Sequence, residues 1–335
     1  MNKQMKFLLM IGFVLAATAP LLLCSCSESG ETKQDGPAKP TYGFVINASA
    51  RFWDLAHAGC QKACSEVGAE LDFQVPGLAS AAQQKQIVET LIAKKCDGIA
   101  ISPLSPDSMA RVIDTASEFM PVICQDSDAA GSKRVCYIGT DNVAAGRVAG
   151  EEMKKALPGG GEVALFVGKL DVTNAAERKQ GIEEALAGSN ITIVETFTDE
   201  TDRMKAQANV RTAIAKYPGL KGLMGLWAYN GPAIVKVLAD TDGRDIQVVC
   251  FDEDIETLES IRSGEIHSTI VQNPYEFGYQ SILMLHRIHT NQPVDIPDNK
   301  LIFVPVRIIN KENVDSMQKD IEEKLGSLKT GIKHF

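Results

Sequence analysis

Two successive runs of short apolar strands alternating with amphipathic helices constrain this chain more than any other feature. The first run places strands at 42–47, 70–75, 98–102, 121–124 and 134–139, with helices at 54–68, 79–95 and 107–119. The rhythm then restarts. A helix at 142–157 leads into strands at 162–167, 191–196, 222–226 and 247–251, separated by helices at 173–186, 204–216 and 231–239. A helix at 257–263, a strand at 267–271, a helix at 274–290 and an extended piece at 301–308 follow. Short, continuously apolar runs bounded by Gly, Pro, Asn or Asp are strands buried on both faces. Repeated βαβ units build parallel sheets covered by helices. The expected fold class is α/β: two similar lobes, each a parallel β-sheet with helices on both faces.

In open parallel sheets a ligand lies beyond the carboxyl ends of the strands. The polar residues standing there are Asn47, Asp126 with Asp128, Thr140 with Asp141, Tyr229 with Asn230, Asp252, and Gln272 with Asn273. Arg178 sits on a helix that opens beside such an end. Core packing does not ask for polar groups at these places. Carboxylates, amides and one guanidinium are what a polyhydroxylated molecule needs, because hydroxyls donate to the first and accept from the others. Aromatic residues complete the set: Phe52 and Trp53 follow the first strand, and Trp227 and Tyr229 follow the strand at 222–226. A sugar ring offers flat CH faces that such planes bury. Each residue also has a plainer reading. Phe52 and Trp53 fit a core at a helix start, Asp126 and Asp252 fit caps or turns, and Arg178 between Glu177 and Lys179 fits a surface charge.

The N-terminal stretch reads as an address. Lys3 and Lys6 precede an apolar run from Phe7 to Leu23, about the length of a signal-peptide core. Residues 1–25 are expected to be removed, with lipidation at Cys26, which follows small Ser25; an ordinary cleaved signal is the alternative. Residues 26–40, rich in Gly, Pro and polar groups, read as a flexible tether. The chain carries a net charge of −9 without a basic stripe, which argues against nucleic acid. Gly159 to Gly161 precedes a strand and is no phosphate cradle. His57, Cys60 and Cys64 share one helix face, a spacing open to a metal; buried thiols beside a helical His are the preferred reading, so no metal and no cofactor is expected.

The chain resembles the ribose-binding-like type I periplasmic binding proteins over nearly all of Thr41 to Val314. The resemblance is carried by YGFVINASARFWD (42–54), CDGIAISP (96–103), PVICQDSDA (121–129), YIGTDNVAAGRVAGE (137–151), NAAERKQG (174–181), WAYNGPA (227–233), VVCFDED (248–254) and STIVQNPYEFGYQS (268–281), in the family's order. It implies two lobes joined by three hinge crossovers, near Thr140/Asp141, Gln272/Asn273 and Pro305. The first lobe would comprise 41–140 plus 273–305, and the second 141–272 plus 306–335. It implies ring stacking by Phe52 and Trp53, a carboxylate at Asp126, a guanidinium at Arg178, and polar contacts from Asn230, Asp252 and Gln272, with Asn47 beside a first-strand contact. The chain departs from the pattern at Ala50-Arg51, which replace Asn-Pro, and at Ser127, which replaces an arginine and is followed by the extra carboxylate Asp128. Trp227 is an extra aromatic.

These readings imply an extracytoplasmic protein, periplasmic or at the cell surface and lipid-anchored. It would capture a small, monosaccharide-like sugar as a monomer and present it to an ABC permease. Sensing of a cyclitol, polyol or other small signal is an alternative. Glycoside hydrolysis by Asp126 and Asp252 is a minor one, since no general acid or nucleophile motif accompanies them.

Overall fold

A computed structural model describes residues 38–47, 50–77, 80–241 and 245–326. The expected signal peptide, Cys26 and nearly all of the tether lie outside the described residues, as do 327–335. The architecture below belongs to the compact unit Lys39–Phe335.

The first half of that unit runs β1 (Thr41–Val45), α1 (Phe52–Val67), β2 (Glu70–Gln74), α2 (Ala81–Ala93), β3 (Gly98–Ile101), α3 (Pro106–Ala116), β4 (Val122–Gln125) and β5 (Tyr137–Gly139). The second runs α4 (Asn142–Ala156), β6 (Gly161–Val167), α5 (Thr173–Leu186), β7 (Ile191–Thr198), α6 (Arg203–Lys216), β8 (Leu220–Gly225), α7 (Asn230–Ala239), β9 (Gln247–Phe251), α8 (Ile255–Ser263) and β10 (Ser268–Val271). The chain then returns through α9 (Pro274–His289) and β11 (Leu301–Phe303), and ends in β12 (Arg307–Asn310) and α10 (Val314–Gly326).

Two six-stranded sheets result, ordered β11-β5-β4-β3-β1-β2 and β12-β10-β9-β8-β6-β7. Each strand of one has its counterpart in the other. All pairings are parallel except β10 with β12. The chain therefore passes between the sheets three times: from β5 into α4, from β10 into α9, and from β11 to β12. The extended piece expected at 301–308 is two strands, one in each sheet, broken at 304–306. Helix α10, which the expected elements do not include, closes the second lobe with Val314, Met317 and Ile321 inward.

Alternating residues of single strands feed cores on opposite faces, as a parallel sheet with two covers requires. Phe44 packs with α1 and α9, and Val45 with α2 and α3. Phe166 and Leu165 divide the second lobe in the same way. Each such fully buried side chain contributes roughly 1.5–3 kcal/mol. Helix starts are capped where the sequence supplies oxygens: Ser80 accepts from Gln83 N, Asp141 from Ala144 N, and Asn273 from Glu276 N. All six cysteines among the described residues are free, buried thiols. No helix of the described residues is long and apolar enough to cross a membrane.

Candidate functional site

The strand ends of both sheets converge around two carboxylates that are structural counterparts. Asp126 follows β4 and Asp252 follows β9, and each adopts a left-handed backbone, φ 61° and 69°. Non-glycine residues avoid this region because Cβ meets the following carbonyl, at roughly 1–2 kcal/mol. The neighbouring strand holds each turn in the same way. Ile138 O accepts from Asp126 N, and Ile270 O from Asp252 N. A hydroxyl one residue earlier, Tyr137 Oη or Thr269 Oγ1, donates to the carbonyl of each aspartate at 2.9 and 2.8 Å. Strain kept in both halves to aim a carboxylate past its sheet points to function rather than packing.

Around Asp126 the first lobe supplies donors. Ser102 Oγ donates to its Oδ2 at 2.8 Å, and Asn47 Nδ2 reaches Ser102 Oγ at 3.1 Å and Asp126 Oδ2 at 3.4 Å. Burial pushes the carboxyl up to about 6; Ser102 and Arg178 oppose the rise, and Asp252 adds to it. Phe52 meets Trp53 edge to face at 4.9 Å. Trp53 is 4% exposed and belongs to the first lobe's core, so Phe52 is the member of the pair with a partly open face. Asp128 receives two bonds from the buried guanidinium of Arg134, whose NH1 also donates to Lys300 O at 3.2 Å. That carboxylate ties down the loop between β4 and β5.

The second lobe centres on Arg178, which is 2% exposed and not the surface charge its neighbours suggest. Its Nε donates to Asn142 Oδ1 at 3.0 Å and its NH1 to Leu226 O at 2.6 Å. NH1 lies 3.9 Å from Asp252 Oδ2, and the guanidinium rides 4.3 Å over the Phe251 ring. Burial pulls the guanidinium's pKa down, while Asp252 and Asp126 hold it up. Gln272 links carboxylate to crossover: its Nε2 donates to Asp252 Oδ1 at 3.0 Å, and its Oε1 accepts from Thr140 Oγ1 at 2.9 Å. Asn230 is 1% exposed and spends its amide internally, accepting from Trp227 N and donating to Asp199 Oδ2. Trp227 donates its Nε1 to Asn174 Oδ1 at 3.0 Å and lies across Gly168, where any Cβ would strike the ring.

The structure thus gathers Asn47, Asp126, Arg178, Asp252 and Gln272 around facing strand ends. It gives Trp53, Asp128 and Asn230 internal partners. Ser102, Asn142, Asn174 and Asp199 join the site without having been singled out. Ser102 immediately follows β3, so the strand-end rule reaches it once that strand is ended at Ile101. Asp199 lies beyond the strand end expected at 196, because β7 continues to Thr198. Among the described residues no three His, Cys, Asp or Glu groups could hold a metal. Cys60 is buried with its thiol pushed well up, and the His57 ring stacks on Phe73 at 4.2 Å.

The periplasmic binding protein domain family matches residues 42–293. A solute-binding protein of an ABC transporter from Burkholderia graminis C4D1M, solved in complex with D-arabinose, is 33% identical. The superposition covers 84% of this chain and 99% of that one, with TM-score 0.76. GanP, a glucose-galactose binding protein from Geobacillus stearothermophilus, is 27% identical, with coverage of 82% and 99% and TM-score 0.75. The ribose import binding protein of Escherichia coli K12 is 22% identical over 283 residues, 82% of this chain and 95% of that one.

Proposed function

The chain belongs to the periplasmic binding protein domain family, and on that premise we propose that it captures a small, monosaccharide-like sugar between its lobes for import by an ABC transporter. The observation that carries this reading is the pair of left-handed carboxylates, Asp126 and Asp252, set against the buried guanidinium of Arg178. Two acceptors from opposite lobes and one cation between them suit a neutral ring bearing several hydroxyls. The carboxylates take hydroxyl protons, the guanidinium donates to a ring or hydroxyl oxygen, and Phe52 and Trp227 cover the apolar faces. Hydrogen bonds to charged groups contribute roughly 1.5–3 kcal/mol each, enough for micromolar capture after the entropy of association. Ligand contact is assigned to Asn47, Phe52, Asp126, Arg178, Trp227, Asp252 and Gln272, with Ser102 added. Trp53, Asp128 and Asn230 support them from behind.

The reading extends to the rest of the chain. Residues 41–140 with 273–305 form one lobe, and 141–272 with 306–335 the other, hinged at the three crossovers. A lipid on Cys26 keeps the protein outside the cytoplasm and near its permease, and the chain acts as a monomer that binds without turnover. The relatives named above are binding proteins, which supports capture over hydrolysis. Thermal unfolding against a panel of pentoses, hexoses, cyclitols and amino acids tests this. A ligand at a hundred times its Kd adds ~2.7 kcal/mol and raises the midpoint by several degrees. A response confined to amino acids would overturn the sugar assignment, and release of a free sugar from a glycoside would overturn binding without turnover.

A further inference from the structure

Leu226 and Trp227, where the chain leaves β8, share a peptide group that is held from both sides. Its carbonyl accepts from Arg178 NH1 at 2.6 Å, and its N–H donates to Asn230 Oδ1 at 3.0 Å. The other end of that side-chain amide, Asn230 Nδ2, donates to Asp199 Oδ2 at 3.2 Å. Every donor in this series points the same way, from a guanidinium through two amides to a carboxylate. Arg178, Asn230 and Asp199 are 2%, 1% and 1% exposed, so both charged ends and the amide between them are out of water. Aligned amides between a buried cation and a buried anion polarise one another, and each bond strengthens the next.

Asp199 anchors the far end, directly after β7. Its Oδ1 accepts from Thr201 N at 2.9 Å and from Tyr229 Oη. Burial raises its carboxyl from the ordinary value, and the bonds from Tyr229, the Thr201 N–H and Asn230 oppose the rise. Glu200 and Thr201, next in the chain, both take a left-handed backbone, φ 56° and 66°. Non-glycine residues avoid that region, so the turn that delivers the carboxylate is held under strain. With three internal donors and almost no exposure, Asp199 is not placed to take a hydroxyl from a ligand. Trp227 is what the series fixes. Its backbone N–H is one link, its Nε1 donates to Asn174 Oδ1 at 3.0 Å, and its ring meets Tyr229 edge to face at 6.4 Å.

We propose that Asp199 is a positioning residue for capture: through Asn230 and the 226–227 peptide it holds the Arg178 guanidinium and the Trp227 ring in their binding positions without touching the ligand. This rests on the capture reading above and deepens it. The direction of the series makes it testable. Asn230 must turn its NH2 to Asp199 and its oxygen to Trp227 N. D199N sets a second NH2 against that of Asn230, which cannot turn over because Trp227 N needs its oxygen. N230D alone sets two carboxylates against each other. Exchanging the pair, D199N with N230D, satisfies every bond again: the amide at 199 donates to the carboxylate at 230, which still accepts from Trp227 N.

The test uses the full chain carrying W53F, which leaves Trp227 as its one tryptophan. D199N and N230D are each expected to shift the Trp227 emission, to raise its quenching by acrylamide, and to weaken binding of D-arabinose, the probe, by roughly tenfold. The exchanged pair is expected to recover the emission and most of the affinity. Single variants that leave both readouts unchanged, or an exchange no better than the singles, overturn the proposal. So does a D199N variant whose unfolding midpoint falls while indole and affinity stay as they were, since that marks a merely structural residue. An indole that follows the expected pattern in a chain without affinity for D-arabinose supports the series and counts against that sugar. D-arabinose binding that is indifferent to all three variants leaves capture standing and removes this inference.

Discussion

At the scale of single residues, the same buried charge serves binding and weakens the fold. The Asp126 carboxyl, pushed up to about 6 by burial, holds its proton more tightly in the folded chain than at the ordinary 3.9 of an unfolded one. Its contribution to stability is therefore full below that ordinary value and is lost as pH rises through about 6. Asp126→Asn should raise the unfolding midpoint at pH 8 and leave it unchanged at pH 4, while sugar affinity at pH 8 falls at least tenfold, ~1.4 kcal/mol. Calorimetry of the two forms reads both effects, and an asparagine variant that binds normally would place the site elsewhere. Arg178 behaves differently, because Asn142 Oδ1 and Leu226 O depend on it. Arg178→Ala should abolish measurable binding and destabilise the fold by ~1–3 kcal/mol, the penalty for buried acceptors left without donors. Arg178→Lys should not restore binding, since one ammonium cannot reach both acceptors and face Asp252. The principal charged groups of this site were legible because strand ends in a parallel sheet carry ligands. Ser102 and Asp199 were not, because each hides at a boundary that one or two residues of strand length decide.

Elements show why those charges meet. Helices α4 and α5 touch backbone to backbone, as do α9 and α1 in the other lobe. A Cβ at Gly181 would run into the Val143 carbonyl, and one at Gly59 into that of Tyr275. Gly146 and Gly278 are the reciprocal contacts, against the carbonyls of Arg178 and Ala56. The glycine seam in the second lobe thus sets the height of the helix that carries Arg178. Gly181→Ala should cost about 1–3 kcal/mol by overpacking and should weaken sugar binding by displacing Arg178, although residue 181 itself touches no ligand. Gly68→Ala is the control. That glycine caps α1 at φ 69° with open space around it, so alanine there should cost about 1 kcal/mol through backbone strain and leave affinity unchanged. Equal losses of affinity in the two variants would break the link between seam and site. Most strands and helices announced themselves by apolar runs and period. The break at 304–306 lies between two short strands of similar composition. Helix α10 was legible too, since Val314, Met317 and Ile321 recur at helical spacing, yet the expected elements stop at 308.

For the whole molecule, the internal symmetry of the two sheets means that a ligand bridging Asp126 and Asp252 is held by equivalent turns of both halves. Capture then depends on the ionisation of Asp126. Asp126 accepts hydroxyl protons only when ionised, so binding should fail on the acid side as pH drops through about 6. Affinity for the captured sugar should therefore climb with pH and level off above this value. Asp126→Asn should remove the acid limb along with most of the affinity. The measurement is Kd by titration calorimetry from pH 5 to 8 in paired buffers of different ionisation enthalpy, which also counts the protons released on binding. Net proton release near pH 6 in the unmodified chain, absent in Asp126→Asn, is the expected signature. An acid limb that survives in Asp126→Asn would assign it to another group.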